Sequence, residues 1–281
     1  MAYGCEQALV ETNPFKRVAL KWVGATHLGD RSRNHYLMRA LQKLALPKNA
    51  NVLNAGCANG AHSFYLAERF PGWMITGIEI EPEKVARAAA IAEKKGTPNL
   101  SFHVGDLHQI RFSGLFHLIF SMHVLTYLQD DLEVLKRFFH ALKRGGHLIL
   151  SIPTPPAPSP LPWPLSKRFK SVIPPTAPTA EGGASASNSP LDCNQERVGY
   201  TNEEIGRKLD EAGFLPLSIT HPAGPLWQSA WEIQTAIENK RLLRAMVHPF
   251  LLFLVDLDQW LSREYPYPLG RDCLIIAQRP A

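Results

Sequence analysis

The chain is poor in cysteine and shows no pairing pattern among those it has. Cys5, Cys57, Cys193 and Cys273 are scattered over 281 residues without CxxC spacing. This argues against a disulfide framework or a zinc site, so no metal is expected, and it favours a reducing compartment. There is no uninterrupted apolar run long enough to span a bilayer. Met1 to Lys16 carries polar and charged residues throughout, unlike a signal peptide. A cytoplasmic location is therefore expected. Long blocks of one charge sign are missing too. The formal net charge is +5 and the pI near 9.0, but the basic residues are dispersed, with short clusters only at Lys167-Arg168-Lys170 and Lys240-Arg241-Arg244. That pattern reads as solvated surface, so no nucleic-acid partner is expected.

What is present is a globular composition, 45% hydrophobic and 20% charged, in a chain long enough for one large α/β domain. The organising stretch is Val52 to Ala55, an apolar strand, followed by Gly56-Cys57-Ala58-Asn59-Gly60 and an apolar-spaced segment from Ala61 to Phe70. Glycine tolerates positive φ and has no Cβ, so Gly56 and Gly60 suit a strand-to-helix turn whose amides face a ligand. Alone, the loop is as compatible with plain packing. It is one glycine short of the dinucleotide fingerprint, because Ala58 stands where a further glycine would be.

From Asn51 the pattern alternates: strand 51–55, helix 61–70, strand 73–79, helix 82–95, strands 100–104 and 116–121, helix 130–143, strand 146–152. Such alternation predicts a mostly parallel sheet covered by helices, with ligands at the carboxyl ends of the strands. Before it, residues 15–46 read as two helical segments, the second from about Arg33 to Leu44, with Thr26 to Asp30 as a loop that can carry His27 back over a ligand. After it, residues 153–198 are rich in Pro, Gly and Ser and read either as a lid beside the site or as an extended insertion. Thr201 and Glu204 have capping-box spacing for a helix ended by Gly213. Strands 215–220 and 273–278 would pair, separated by an insertion at 221–270 with two helical segments, Leu226 to Arg244 and Phe250 to Leu261. The second is apolar on most sides and needs cover from protein, a greasy ligand or a membrane surface.

At the end of the second strand, Glu79 lies about nineteen residues beyond the last glycine, where a carboxylate can hold ribose hydroxyls. Glu81 fits better as the cap of the helix starting at Pro82. The third strand ends in Gly105-Asp106-Leu107 and the fourth in Ser121-Met122-His123-Val124. Together, in this order, these features resemble the class I S-adenosylmethionine-dependent methyltransferases, especially the small-molecule, type 11 or ubiquinone-methyltransferase-like group. The resemblance is strong over about 50–155 and looser elsewhere. It implies a Rossmann-like, seven-stranded, mostly parallel sheet with helices on both faces. An N-terminal helical cap (1–48) precedes the methyltransferase domain (49–281), which carries the insertion at 153–198 and a helical substrate cap at 221–270.

The resemblance further implies that Asn54, Ala55, Gly56, Cys57 and Gly60 form the wall around the cofactor's methionine part. Glu79 would bind ribose, Ile80 would pack on adenine, and Gly105, Asp106 and Leu107 would form the adenine end. Ser121 and Met122 would lie near the methionine end, with His123 facing the methyl acceptor. Three positions depart from the usual pattern: Asn54 replaces a common acid, Ala58 a common glycine, and His117 the usual aspartate of the fourth strand.

Methyl transfer is an in-line displacement that needs alignment in a dry pocket. A neutral histidine near a hydroxyl can take its proton. His123 is best placed by strand-end position, and His27 and His221 are second choices, one from the N-terminal cap and one at the end of the strand from Leu215; a pocket-wall role is open for each. Tyr127, Tyr200, Trp227 and Trp231 are either acceptor-pocket walls or core. The expected function is methylation of a small, partly apolar molecule, most simply on oxygen. One alternative is a lipid or lipid-linked sugar methylated in peripheral contact with a membrane. Another is a non-catalytic cofactor-binding protein. The fourth strand lacks the Asp/Asn-Pro-Pro-aromatic signature of nucleic-acid base methyltransferases, and Asp106 argues against an NAD-dependent dehydrogenase.

Overall fold

A computed structural model describes residues 5–23, 28–154, 199–237, 240–262 and 272–281. His27 and nearly all of the 153–198 insertion therefore lie outside the described residues. Seven strands form one sheet: β1 (Asn51–Ala55), β2 (Met74–Glu79), β3 (Leu100–Val104), β4 (Phe116–Met122), β5 (Leu142–Pro153), β6 (Leu215–Thr220) and β7 (Asp272–Gln278). Their order is β3-β2-β1-β4-β5-β7-β6. All neighbours are parallel except β7, which runs antiparallel to both β5 and β6. Because β7 is reversed, its first residues, not its last, lie beside the carboxyl ends of the parallel strands.

The strands are apolar on both faces, as a sheet covered on two sides requires. Val52, Leu118, Phe120, Ile149 and Leu274 belong to one core, and Leu53, Ile119, Leu148, Leu150 and Ile275 to the other. The described helices are α1 (Pro14–Val23), α2 (Leu28–Gln42), α3 (Ala61–Arg69), α4 (Pro82–Lys95), α5 (Asp131–Ala141), α6 (Asn202–Glu211), α7 (Pro225–Ala236) and α8 (Arg241–Leu261). The capping box of α6 forms as its spacing predicts: Thr201 accepts from the Glu204 N–H, and Glu204 from the Thr201 N–H.

Three boundaries differ from the sequence expectation. Helix α2 begins at Leu28, so Asp30 is helical and not in a loop; Leu28 is fully buried, and the Ser32 hydroxyl bonds back to the Leu28 and Gly29 carbonyls. Helix α5 stops at Ala141 because Leu142 already pairs with Phe116 in the sheet. Helix α8 runs through Pro249 instead of starting after it. A proline inside a helix costs about 3 kcal/mol, and burial of Leu251, Leu252 and Val255 beyond it offsets that cost.

Candidate cofactor and acceptor site

The glycine loop follows β1. Gly56, Ala58 and Gly60 all have positive φ, of 76°, 47° and 78°. Ala58 therefore holds, with a Cβ, the left-handed conformation that glycine adopts freely. The Gly56 and Cys57 N–H groups donate to the Ile78 carbonyl at 2.9 Å each, tying the loop to the end of β2. Close packing fixes the other glycine: a Cβ on Gly60 would stand 2.5 Å from Phe102 Cζ. Burial, with the Glu79 charge adding to it, pushes the Cys57 thiol up to about 12, so it stays a neutral packed group.

Glu79 ends β2 only 9% exposed. Its Oε2 accepts from the Ala58 N–H at 2.8 Å, and its Oε1 from the Ile80 N–H at 2.9 Å and the Glu81 N–H at 3.3 Å. A carboxylate has about four acceptor positions, so one on Oε2 remains for a ligand hydroxyl. That is narrower than room for both ribose hydroxyls. Glu81 occupies the cap position of α4 without a side-chain cap bond and pairs with Lys84 instead. Asp106, after β3, accepts from the His108 N–H at 2.9 Å and from Gln109 Nε2 at 3.3 Å. Burial opposes its ionisation, but the His108 contacts outweigh it and hold the carboxyl below its usual range.

A cavity of about 600 Å³ opens at this end of the sheet. Asn54, Gly56, Cys57, Ala58 and Asn59 line one side, and Met122, His123, Thr126 and Tyr127 the β4 side. Trp231 of α7, Asp30 and Arg33 of α2, and His62 and Pro153 also line the cavity. Another cavity, of about 490 Å³, opens among Met38, Lys48, Phe70 and Trp73 at the amino ends of β1 and β2, away from the strand ends that carry the site residues.

His123 is the second non-glycine residue with positive φ, at 59°. Its N–H donates to the Ser151 carbonyl at 2.7 Å, fixing the turn that brings the ring to the cavity. Its Nε2 lies 2.8 Å from Asp272 Oδ1, although the carboxylate sits off the line a hydrogen bond requires.

The structure thus brings together Asn54, Gly56, Cys57, Met122, His123, Tyr127 and Trp231 around one cavity. Gly60 supports the loop from behind, and Ile80, Gly105 and Asp106 stand at neighbouring strand ends. Ala55 and Leu107 are core residues, and Ser121 is a tie, its hydroxyl donating to the Ala55 carbonyl at 2.9 Å. Of the four aromatics read as either walls or core, two lie in the core. Tyr200 is 1% exposed, and its hydroxyl bonds to Asp131 Oδ2 at 2.6 Å. Trp227 is in the core, donating to Ser32 Oγ and stacked on Trp231.

The departures have local explanations. Asn54 donates to Ser63 Oγ at 2.9 Å. His117 Nδ1 accepts the Asn51 N–H at 2.9 Å, the role open to an aspartate, and burial with the Lys143 charge lowers its pKa. Sequence reasoning missed Arg33, His62, Thr126 and Asp272. Of these only His62, one residue into the helix after the glycine loop, carried a positional signal.

The family described as "Methyltransferase domain" matches residues 46–212, more than half of the chain. The chain belongs to this methyltransferase family. Its methyl donor is S-adenosylmethionine; the Gly56, Cys57, Ala58 and Gly60 amides of the loop are taken up inside the protein, so the groups with acceptor positions left for such a molecule are the Glu79 and Asp106 carboxylates. The methyltransferase is 34% identical over 104 residues to a trans-aconitate 2-methyltransferase of Deinococcus radiodurans, a match covering 37% of this chain and 38% of that protein. It is 33% identical over 114 residues to a tRNA U34 carboxymethyltransferase of Helicobacter pylori, covering 39% and 43%. These matches span less than half of the relatives' lengths. Among solved structures, Haemonchus contortus phosphoethanolamine N-methyltransferase 2 in complex with S-adenosyl-L-methionine superposes with a TM-score of 0.59 at 13% identity. That alignment covers 96% of this chain and 61% of the other, and the likeness is one of fold.

Proposed function

We propose that this methyltransferase methylates a small, partly apolar molecule on oxygen, with His123 taking the acceptor's proton. The observation that carries the reading is His123 on the wall of the same cavity as the glycine loop, held there by a left-handed backbone. S-adenosylmethionine supplies, when bound, a methyl group on a positively charged sulfur.

The protein's share is alignment and proton handling. Gly56, Cys57 and Ala58 hold one side of the cavity. Met122, Tyr127 and Trp231 exclude water and offer apolar contact to the acceptor. As the acceptor oxygen forms its bond to the methyl carbon, the carbon–sulfur pair goes to sulfur and the hydroxyl proton goes to His123. The ring then returns that proton to solvent. The products are the methyl ether or ester and S-adenosylhomocysteine, and charge balances because the sulfonium charge leaves as the proton.

Two measurements test this reading. Calorimetric titration with S-adenosylhomocysteine should show binding that Glu79→Ala removes. Labelled S-adenosylmethionine, supplied with an extract of the source organism, should label a small product. Label appearing only in tRNA would instead favour a nucleic-acid acceptor, and no binding at millimolar ligand would end the proposal. Binding that survives Glu79→Ala, with no labelled product, would favour a non-catalytic cofactor-binding protein.

A second reading, a lipid or lipid-linked sugar acceptor, draws on one observation. Met246, Phe250, Phe253 and Trp260 form an exposed stripe along α8, and α1 exposes Phe15 and Val18 beside Lys16, Arg17 and Lys21. No described helix is long and apolar enough to cross a membrane, so contact through these helices would be peripheral. Flotation with anionic vesicles decides: a protein that never co-floats does not work this way.

A further inference from the structure

We infer that Asp272 is a positioning residue for His123: it keeps the ring proton on Nε2 and so presents Nδ1 to the acceptor. The inference rests on the proposal that His123 receives the proton, and it names what makes that histidine competent.

Three observations support it. The first is distance and burial. Asp272 is 2% exposed, its Oδ1 is 2.8 Å from His123 Nε2, and the His123 side chain is 25% exposed on the cavity side. A lone pair on Nε2 would face a carboxylate across 2.8 Å, whereas an N–H there meets complementary charge. The partner of one ring nitrogen decides which nitrogen carries the proton. Among the described residues no protein hydrogen bond holds Nδ1, which leaves it to the cavity.

The second is topology. Asp272 is the first residue of β7 and pairs with Pro153 of β5. Only the reversed direction of β7 brings a strand's first residue to the catalytic end of the sheet.

The third is the cost of the arrangement. Asp272 Oδ2 is buried without a hydrogen-bond partner among the described residues, and His123 holds a backbone conformation costly for any residue with a Cβ. Each is unfavourable by itself, and both concern the same two residues. Asp30 and Arg33 of α2, the charged Asp, Glu, Lys or Arg residues among those described that line the same cavity, pair with each other. On the same helix the fully buried Tyr36 phenol is raised, by burial first and then by the Asp272 charge, so it stays protonated.

The test is a long-range ¹H–¹⁵N spectrum of the histidine rings in the ¹⁵N-labelled full chain at mildly alkaline pH, with His123→Gln identifying the signal. The expected result is a neutral His123 protonated on Nε2. Asp272→Asn should move the proton to Nδ1, since the amide can donate to Nε2, and Asp272→Glu should keep the original tautomer. A residue needed only for packing would leave the tautomer unchanged. A wild-type ring protonated on Nδ1, or a tautomer identical in wild type and a folded Asp272→Asn, overturns the inference. If Asp272→Asn does not fold, the wild-type spectrum decides alone. The spectrum needs neither cofactor nor acceptor, so its outcome is separate from that of the methyl-transfer assay.

Discussion

The Glu79 carboxylate holds the Ala58 amide, 21 residues away in sequence, at 2.8 Å. This contact joins the end of β2 to the loop after β1 and keeps the loop's one non-glycine left-handed residue in place. Glu79 thus shapes the loop, in addition to the ribose contact proposed for it.

Replacing Ala58 by glycine should stabilise the protein. A left-handed backbone costs a residue with a Cβ about 1–2 kcal/mol, and added unfolded-state freedom for glycine returns about 0.4–1 kcal/mol of that. A net gain of about 0.5–1 kcal/mol corresponds to a Tm higher by roughly 1–3 °C. Scanning calorimetry of Ala58→Gly checks it, and a lowered Tm would show that the loop is not strained at this position.

Gly56→Ala should do the opposite. The new Cβ would lie 2.3 Å from Val124 Cγ2 at a φ of 76°. Conformational strain and overpacking together come to about 2–5 kcal/mol. Val124→Ala removes the atoms in the way and should recover the overpacking part but not the backbone part. A double-mutant cycle on urea midpoints measures the difference; purely additive effects would contradict the contact.

Much of the sheet was legible because alternation of strand and helix is written in every residue of 51–152, and the strand-end loops follow from parallel topology. The placement of the residues proposed for the cofactor was legible for the same reason: Gly56, Glu79 and Asp106 are local to strand ends. The residues proposed for the acceptor were not. Asp272 reaches His123 only through the reversed direction of β7, a tertiary fact with no local pattern. Tyr200 and Trp227 read in sequence as either pocket walls or core, and only their buried partners, Asp131 and Ser32, which satisfy their polar atoms, place them in the core. Arg33 and Asp30 needed the true start of α2.

Tyr200→Phe separates core from pocket. The lost hydroxyl bonds Asp131 Oδ2 at 2.6 Å and the Leu125 carbonyl at 3.2 Å, while Asp131 keeps Lys208 at 2.6 Å. A buried hydrogen bond to a charged group contributes about 1.5–3 kcal/mol, so urea denaturation should show a loss of that size. Affinity for S-adenosylhomocysteine should stay within about twofold, because RT ln 2 is only ~0.4 kcal/mol and no cavity wall is touched. A large loss of affinity with unchanged stability would return Tyr200 to the site.

Acid sensitivity should come partly from His62. Its half-buried ring lines the cavity and meets Phe120 edge-on at 6.4 Å between centroids. Burial lowers its pKa from 6.5 to about 4, the Asp30 charge opposing and the Arg33 charge assisting. In the folded protein the ring stays neutral where the unfolded chain already binds a proton. The unfolded state therefore takes up more protons between about pH 6.5 and 4. The stabilisation is complete above the unfolded value and is lost as pH falls through that window. Its size is about 2 kcal/mol after allowance for the ring's partial exposure. Urea midpoints measured at neutral and mildly acidic pH should fall less in His62→Gln than in wild type. Equal falls would place the acid sensitivity in other groups and show that the His62 ring is solvated in the folded state.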